Sequence, residues 1–205
     1  GPFGLLQPVA DIVKLFMKED WIPPFADKLT FIAAPAILAA SAMLAFAVVP
    51  ITERIRVSDA NVGLLFFLAM TSMGVYSIVL GGWASNSKYS LIGGMRAAAQ
   101  MISYELPMAI SLAGVVVLAG SFRLIDLVNA QSGLWYLVLQ PVGFVVFLIA
   151  GIAEARRSPF DLPEADSELV AGYHTEYSSM KFALFFMGEY LDVILISAMV
   201  TTLYL

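Results

Sequence analysis

The chain has 205 residues, of which 60% are hydrophobic and only 13% are charged, and its mean hydropathy is +0.85. Soluble domains are about 45–50% apolar and about 25% charged, so this composition excludes a soluble protein and indicates an integral membrane protein. The chain has no cysteine, which excludes thiolate-bound zinc and iron–sulfur clusters, and its net charge of −5 argues against nucleic acid as a partner.

The first predicted element is an amphipathic helix at residues 5–20. Apolar residues are mixed there with five charged residues between Asp11 and Asp20. A segment with this pattern lies in the membrane interface and does not cross the bilayer. Because the chain starts at Gly1 without an initiating methionine, we expect it to be a fragment of a longer protein.

Five later runs are long and apolar enough to cross a hydrocarbon core of about 30 Å, which needs roughly 20 residues. They cover residues 29–50, 62–83, 97–120, 134–154 and 179–205. Each must be helical, because lipid offers no partner for exposed backbone polar groups. The sequence predicts an all-α polytopic transmembrane helix bundle in a single membrane domain, 1–205. It comprises an interfacial helix and linker at 1–28, then five spans with an acidic loop at 154–178.

The distribution of Lys and Arg predicts the orientation of this bundle. The side that holds the N-terminal segment and the connections after the second and fourth spans carries eight basic residues, and the opposite side carries three. They are Lys14, Lys18, Lys28, Lys88, Arg96, Arg156, Arg157 and Lys181 against Arg54, Arg56 and Arg123. Because basic loops stay in the cytoplasm, we expect the acidic loop to be cytoplasmic.

Glu105, Glu189 and Asp192 lie in the interior of predicted spans, where a carboxylate costs several kcal/mol unless it faces protein or water. Glu105 lies two residues before Pro107, which removes a backbone donor and favours a polar pocket. Glu189 and Asp192 are three residues apart and share a helix face. For Glu105 a functional carboxyl group and a structural one, hydrogen-bonded to Ser or Tyr of a neighbouring helix, both stay open. For Glu189 and Asp192 the alternatives are a proton carrier and a pair of acids that bind basic residues of the missing part of the chain.

The acidic loop holds six carboxylates and two prolines between two predicted spans. The carboxylates are Glu154, Asp161, Glu164, Asp166, Glu168 and Glu176. Pro159 and Pro163 prevent a helix from running through the first half. A charge run is most often a solvated loop, but the nearby Phe160, Tyr173 and His174 would suit a pocket better than open water.

Four stretches together resemble a known family: residues 154–178, 1–8, 82–90 and 103–106. They are similar to the signature sequences of the quinone-site membrane subunit of respiratory complex I, also called the subunit 1 family. The similarity extends over the whole chain. Two positions depart from the pattern: Asp166 stands where a glutamate is more usual, and Ser72 where some members carry a glutamate.

The resemblance implies a subunit that transfers no electrons itself but builds the chamber where quinone is reduced. It assigns quinone binding to Asp11, Arg157, Phe160 and Asp161. It also implies a funnel of acids leading from the chamber into the membrane. By this resemblance, the residues that relay protons and couple the reaction are Glu105, Glu154, Glu164, Asp166, Glu168, Glu176 and Glu189. Neither a catalytic residue nor a metal ligand is implied for this chain.

The resemblance further implies the partners and the cofactors. Quinone is the substrate and no cofactor is bound by this chain, while flavin and iron–sulfur clusters belong to partner subunits. The implied partners are the peripheral-arm quinone-site subunits, the small and antiporter-like membrane subunits, and the lipid of a bacterial inner (plasma) membrane. The whole assembly would be a proton-pumping NADH:quinone oxidoreductase.

Two alternatives stay open from the sequence. The first is the equivalent subunit of a related ferredoxin-, hydrogenase- or other donor-linked energy-converting complex, because the peripheral arm chooses the donor. The second is a proton-linked transporter that uses Glu105 and Glu189 as its relay. Such transporters commonly show inverted repeats with paired broken helices, and the sequence has no such repeat.

Overall fold

The computed structural model describes residue 4 and residues 6–52, 57–161 and 171–205. Within these ranges the chain forms helices and no strand. The elements are α1 Gln7–Met17, α2 Lys28–Phe46, α3 Gly63–Ala84, α4 Lys88–Ala119, α5 Leu124–Ala130, α6 Tyr136–Leu139, α7 Pro141–Glu154, a 3₁₀ turn Gly172–His174 and α8 Ser179–Tyr204. The predicted all-α membrane fold is confirmed.

Within the described part of the chain, the four helices α2, α3, α4 and α8 are long and apolar enough to cross a membrane. They match four of the five predicted spans, and the chain is a multi-pass membrane protein. Helix α4 is longer than predicted, because it begins at Lys88 and not at residue 97. Its 32 residues extend over about 48 Å, more than the hydrocarbon core requires, so its first turns continue past the lipid.

The remaining predicted span, 134–154, is not one helix. It is divided into α6 and the 14-residue α7, and Gln140 between them has φ −134° and ψ 61°. The cause is Pro141, which lacks an N–H and disfavours helical backbone at the residue before it. Helix α7 is about 21 Å long, shorter than a typical hydrocarbon core. Gln140 Nε2 donates to the Gly114 carbonyl at 2.8 Å, which ties this break to α4.

The helices enclose two apolar cores. Helix α3 contacts α2 and α4, α8 contacts α2 and α7, α7 contacts α4, and α1 lies against α8. The core nearer the acidic loop, the loop-side core, includes Phe31, Leu38, Val75, Ile78, Met101, Tyr173 and Phe185. The other, the far core, includes Ala45, Phe67, Met108, Leu112, Phe147, Leu195 and Tyr204.

An ion pair ties two connections together at the far end of the bundle. Arg123 Nε donates to Asp59 Oδ1 at 2.7 Å, and the second guanidinium nitrogen pairs with the other carboxylate oxygen. This hydrogen bond and the charge of Asp59 raise the pKa of the Arg123 guanidinium. The pair joins the segment after α2 to the segment after α4.

The 3₁₀ turn in the last part of the acidic loop rests directly on the backbone of α4. Gly172 has φ +60°, which favours glycine. A Cβ atom on Gly93 would lie only 2.6 Å from Gly172 Cα, so two glycines are required for this close approach. This turn of the acidic loop is therefore packed at a fixed point on α4.

We expect Gly93→Ala to lower the stability of the protein by about 1–3 kcal/mol, because overpacking against backbone displaces the turn. The measurement is the thermal transition and the yield of the assembled protein in membranes. Gly133→Ala is the matched control, since a Cβ there meets no atom within 4 Å. Equal stability of the two variants would contradict the close approach.

Candidate functional site

A layer of polar side chains, the polar layer, separates the two cores. Its members lie between loop-side and far-core residues on their own helices: Ser41 on α2, Thr71 and Ser72 on α3, Glu105 on α4 and Asp192 on α8. Helix α7 ends beside this layer at Glu154. Ser41, Thr71, Glu154 and Asp192 border a cavity of about 10 Å³, which is near the lower limit for one water molecule.

Glu154 is the most deeply buried acid among the described residues. The residue is 3% exposed, and neither of its carboxyl oxygens accepts a hydrogen bond from a described residue. Its electrostatic neighbours are Glu105, Asp192 and Arg156. A carboxylate without water or hydrogen bonds is costly, so its charge depends on Arg156 and on any water in the adjacent cavity.

Arg156 supplies a positive charge beside these acids. It follows α7 with φ +52° and is 1% exposed. Its guanidinium donates to the Tyr173 hydroxyl and lies 5.2 Å from the centre of that ring. Its charge acts on both Glu154 and Asp192. One buried arginine therefore connects the acids to the 3₁₀ turn at the end of the loop.

Glu105 has the hydrogen-bonded environment that the structural interpretation predicted. The Ser72 hydroxyl of α3 donates to Glu105 Oε1, and Ser72 Oγ also lies 2.9 Å from the Leu68 carbonyl. The proximity of Glu105 to Glu154 equally fits the relay interpretation. Ser72 thus supplies a hydroxyl to Glu105 from the neighbouring helix.

Glu189 and Asp192 lie one helical turn apart on α8, and their charges interact as the spacing predicted. Glu189 is 5% exposed. Lys181, two turns earlier on α8, is not their partner, because it pairs with Asp20. Asp192 reaches the cavity beside Glu154, so it connects Glu189 to the polar layer.

The beginning of the acidic loop is held against α4 and α8. The Arg157 guanidinium lies 4.6 Å from the centre of the Tyr190 ring, and the Phe160 ring meets Tyr104 edge-on at 5.2 Å. Asp161 is exposed. The three predicted quinone-binding residues of the loop thus lie near one another, while Asp11 lies on α1.

Four further residues are predicted to belong to the relay. Glu164, Asp166 and Glu168 lie outside the described residues, so their roles stay predictions. Glu176 is half-buried between the 3₁₀ turn and α8, and its carboxylate forms no hydrogen bond or ion pair with a described residue.

An apolar groove of about 790 Å³ runs between α1 and α8. Its lining is Asp11, Ile12, Lys14, Leu15, Phe16, Met180, Phe182, Ala183, Phe186, Met187, Tyr190, Leu191 and Ile194. Asp11 and Lys14 give it a charged edge on α1, and Asp11 accepts a hydrogen bond from Gln7 at 2.9 Å. Volumes of roughly 300–1,000 Å³ with apolar walls and few polar groups are typical of small-molecule sites.

Hydrogen bonds and an ion pair hold α1 beside α8 and so set the width of this groove. The buried Lys181 pairs with Asp20, and the Ser179 hydroxyl donates to the Leu15 carbonyl at 3.0 Å. Nearby, Tyr177 stacks on Phe31 with ring centres 4.0 Å apart. Burial raises the pKa of the Tyr177 hydroxyl, which therefore keeps its proton at physiological pH.

The whole sequence matches one protein family. A sequence model described as NADH dehydrogenase aligns with residues 1–205. The chain belongs to that family. Within the described ranges no group of three His, Asp or Glu side chains could hold a metal ion.

Several curated relatives are named as subunits of an NADH-quinone oxidoreductase. The chain is 56% identical to the first H-type subunit of the NADH-quinone oxidoreductase of Geobacter metallireducens, over 100% of the chain and 65% of the relative. It is 57% identical to the H-type subunit of Methylococcus capsulatus, with the same coverage. Identity to the H-type subunit of Bacillus thuringiensis is 55%, over 62% of that relative. The chain thus spans about two-thirds of the length of these bacterial relatives.

The structure adds members to the site that the sequence did not assign to it. Asp192 is the main one, since its spacing from Glu189 was visible but its contact with the Glu154 cavity was not. Ser41 and Thr71 gave no signal, because single hydroxyl residues are common in apolar helices. The aromatic groove wall on α8 also appeared as an ordinary apolar run.

Proposed function

We propose that this chain forms the membrane part of the quinone site in a proton-translocating NADH:quinone oxidoreductase, and that its polar layer couples quinone reduction to proton movement. The family and the names of the relatives support this reaction. Electrons would come from the iron–sulfur clusters of peripheral-arm subunits. The chain supplies the site and the relay, and it is not catalytic alone.

The observation that carries the proposal is that α8 borders the groove on one face and the polar layer on the other. Tyr190 lines the groove, while Asp192 borders the cavity beside Glu154. Two adjacent arginines contact the two regions, since Arg157 stacks on Tyr190 and Arg156 faces the acids. Charge created beside Tyr190 is therefore one residue along α8 from Glu189, where the proposed relay begins, and two residues from Asp192.

The groove suits a ligand with a polar head and a long apolar tail, which is the chemistry of a membrane quinone. Its walls are aromatic and aliphatic, and Asp11 and Lys14 lie at its edge. The exposed apolar side chains Val9, Val13 and Phe16 on α1 fit a helix in the membrane interface. A tail could then reach the groove from the lipid without crossing water.

The relay we propose runs from Glu189 through Asp192 and Glu154 to Glu105. Quinone reduction consumes protons and passes through anionic species, and either change alters the charge balance around Arg156 and Arg157. The acids at 164–168 would join the groove to this path, with the loop between Pro159 and Gly172 as the element that has two states. The other membrane subunits would receive the proton movement beyond Glu105.

We propose that the acidic loop faces the cytoplasm, where the peripheral arm docks, in a bacterial plasma membrane. The eight-to-three distribution of basic residues supports this side. The relatives' names favour NADH as the electron donor over ferredoxin or hydrogen.

A substitution that fills the groove tests the quinone assignment. Ala183→Phe places a ring between α1 and α8, and we expect it to raise the KM for a long-tailed quinone about tenfold, equivalent to about 1.4 kcal/mol of lost binding. The measurement is NADH:quinone reductase activity of the assembled complex.

Two controls make this result specific. Ala183→Ser keeps the side chain small and should behave like the unchanged protein. NADH:ferricyanide activity, which needs only the peripheral arm, should be the same in both variants. A KM unchanged by Ala183→Phe would place the quinone outside the groove.

A further inference from the structure

The Gln100 side chain of α4 joins two segments of the proposed site through a single amide. Its Nε2 donates to the Ala153 carbonyl at 3.0 Å and to the Phe160 carbonyl at 2.8 Å. A primary amide has two N–H donors, and here both are used. The two carbonyls lie seven residues apart, on either side of the turn that follows α7.

Each of these carbonyls is adjacent to a residue that the proposed function uses. Ala153 immediately precedes Glu154, whose carboxyl group borders the polar layer. Phe160 immediately precedes Asp161, where the acidic segment starts. One turn further along α4, the Tyr104 ring packs edge-on against the Phe160 ring. Helix α4 therefore contacts Phe160 through both its ring and its backbone carbonyl.

The turn between the two carbonyls contains its own backbone hydrogen bonds, so it can move as a unit. Arg156 N donates to the Ala153 carbonyl at 3.2 Å, and Phe160 N donates to the Arg157 carbonyl at 2.7 Å. A displacement of Phe160 would therefore stretch its bond to Gln100 or pull on the end of α7. While both bonds of Gln100 hold, the position of Glu154 therefore changes with the position of Phe160.

We infer that Gln100 is a positioning residue that links movement of the acidic loop at Phe160 to the Glu154 carboxyl group. The inference rests on the proposed function, because it assigns a residue that transmits the coupling between the two parts of that site. Gln100 acts only through the backbone of its two partners and touches no reacting atom.

Gln140 provides a matched control on the same pair of helices. Its Nε2 also donates to a backbone carbonyl, that of Gly114 on α4 at 2.8 Å, but at the opposite end of α7. A purely structural amide bridge between α4 and α7 should therefore behave alike at both positions. A coupling role is expected at Gln100 alone.

The experiment compares Gln100→Met, Gln140→Met and Glu154→Gln in the full complex reconstituted in vesicles, with protons pumped per electron as the readout. We expect Gln100→Met, which removes both hydrogen bonds, to lower this ratio about threefold or more, since losing even one hydrogen bond commonly changes an equilibrium by that factor. Gln140→Met should keep the unchanged ratio. If Gln100→Met fails to assemble, Gln100→Glu keeps the volume and loses donors, and the same fall is expected.

An unchanged ratio in the Gln100 variants, or an equal fall in Gln140→Met, would overturn the inference. Glu154→Gln separates this failure from a failure of the proposed function. If Glu154→Gln lowers the ratio and the Gln100 variants do not, the relay stands and the Gln100 link is wrong. If Glu154→Gln pumps normally, the relay and the link are both wrong.

Discussion

Glu154→Gln will lower the protons pumped per electron at least about tenfold in an assembled complex, because an amide cannot take up and release the proton that a general acid–base group transfers. The substitution keeps the shape of the side chain. Neither carboxyl oxygen is hydrogen-bonded to a described residue, so the substitution breaks no hydrogen bond within the described part of the chain, and assembly should be retained. The measurement is proton uptake together with NADH oxidation in sealed vesicles.

Glu19→Gln is the control for the loss of one negative charge. Glu19 is exposed in the segment after α1, away from the polar layer. Proton pumping by this variant should therefore match that of the unchanged protein. Joint loss of reduction and pumping in a fully assembled Glu154→Gln complex would also fit an obligatory relay. Normal rates of both would show that Glu154 is only structural.

Arg156→Met will have the largest effect on assembly. Arg156 is almost completely buried and faces both Glu154 and Asp192. Removing one partner of a buried charge cluster typically costs about 3–5 kcal/mol, because the remaining charges stay without compensation. The Tyr173 hydroxyl also loses its donor. We expect little assembled complex on native gels of the membrane fraction.

A second substitution distinguishes the charge effect from lost contacts. In Arg156→Met combined with Glu154→Gln, one uncompensated acid is gone, so assembly should be partly restored and the two effects should be non-additive. Arg157→Met is the control, because Arg157 is half-buried against Tyr190, and its loss should leave assembly intact. Strictly additive losses would show that the charges of Arg156 and Glu154 do not interact.

Much of the fold was predictable because hydropathy is averaged over about 20 residues and needs no knowledge of neighbours. Helices α2, α3, α4 and α8 were all located in this way. The helix ends were less accessible to this reasoning. Lys88 and Arg96 appeared to lie outside the third span, although a polar segment can continue a helix beyond the lipid, and Pro141 divided a run whose average hydropathy was uniform.

The site was predictable only in part, because proximity between helices leaves no local pattern. Glu105 was recognisable because a carboxylate inside an apolar span is energetically costly. The relay role of Glu154 was predicted only from the family resemblance. That these two acids meet Asp192, which lies on a third helix, follows from tertiary packing. The groove likewise depends on how α1 is held against α8. Its residues appear along each helix as ordinary apolar positions.

The most direct test measures quinone reduction and proton pumping together in vesicles that contain Glu154→Gln or Ala183→Phe. We expect the two substitutions to have different effects on the ratio of protons to electrons. Ala183→Phe slows both processes at low quinone concentration with an unchanged ratio of protons to electrons, whereas Glu154→Gln lowers that ratio. An unchanged ratio at normal rates of quinone reduction in Glu154→Gln, or a changed ratio in Ala183→Phe, would contradict a groove for quinone and a separate polar layer for protons.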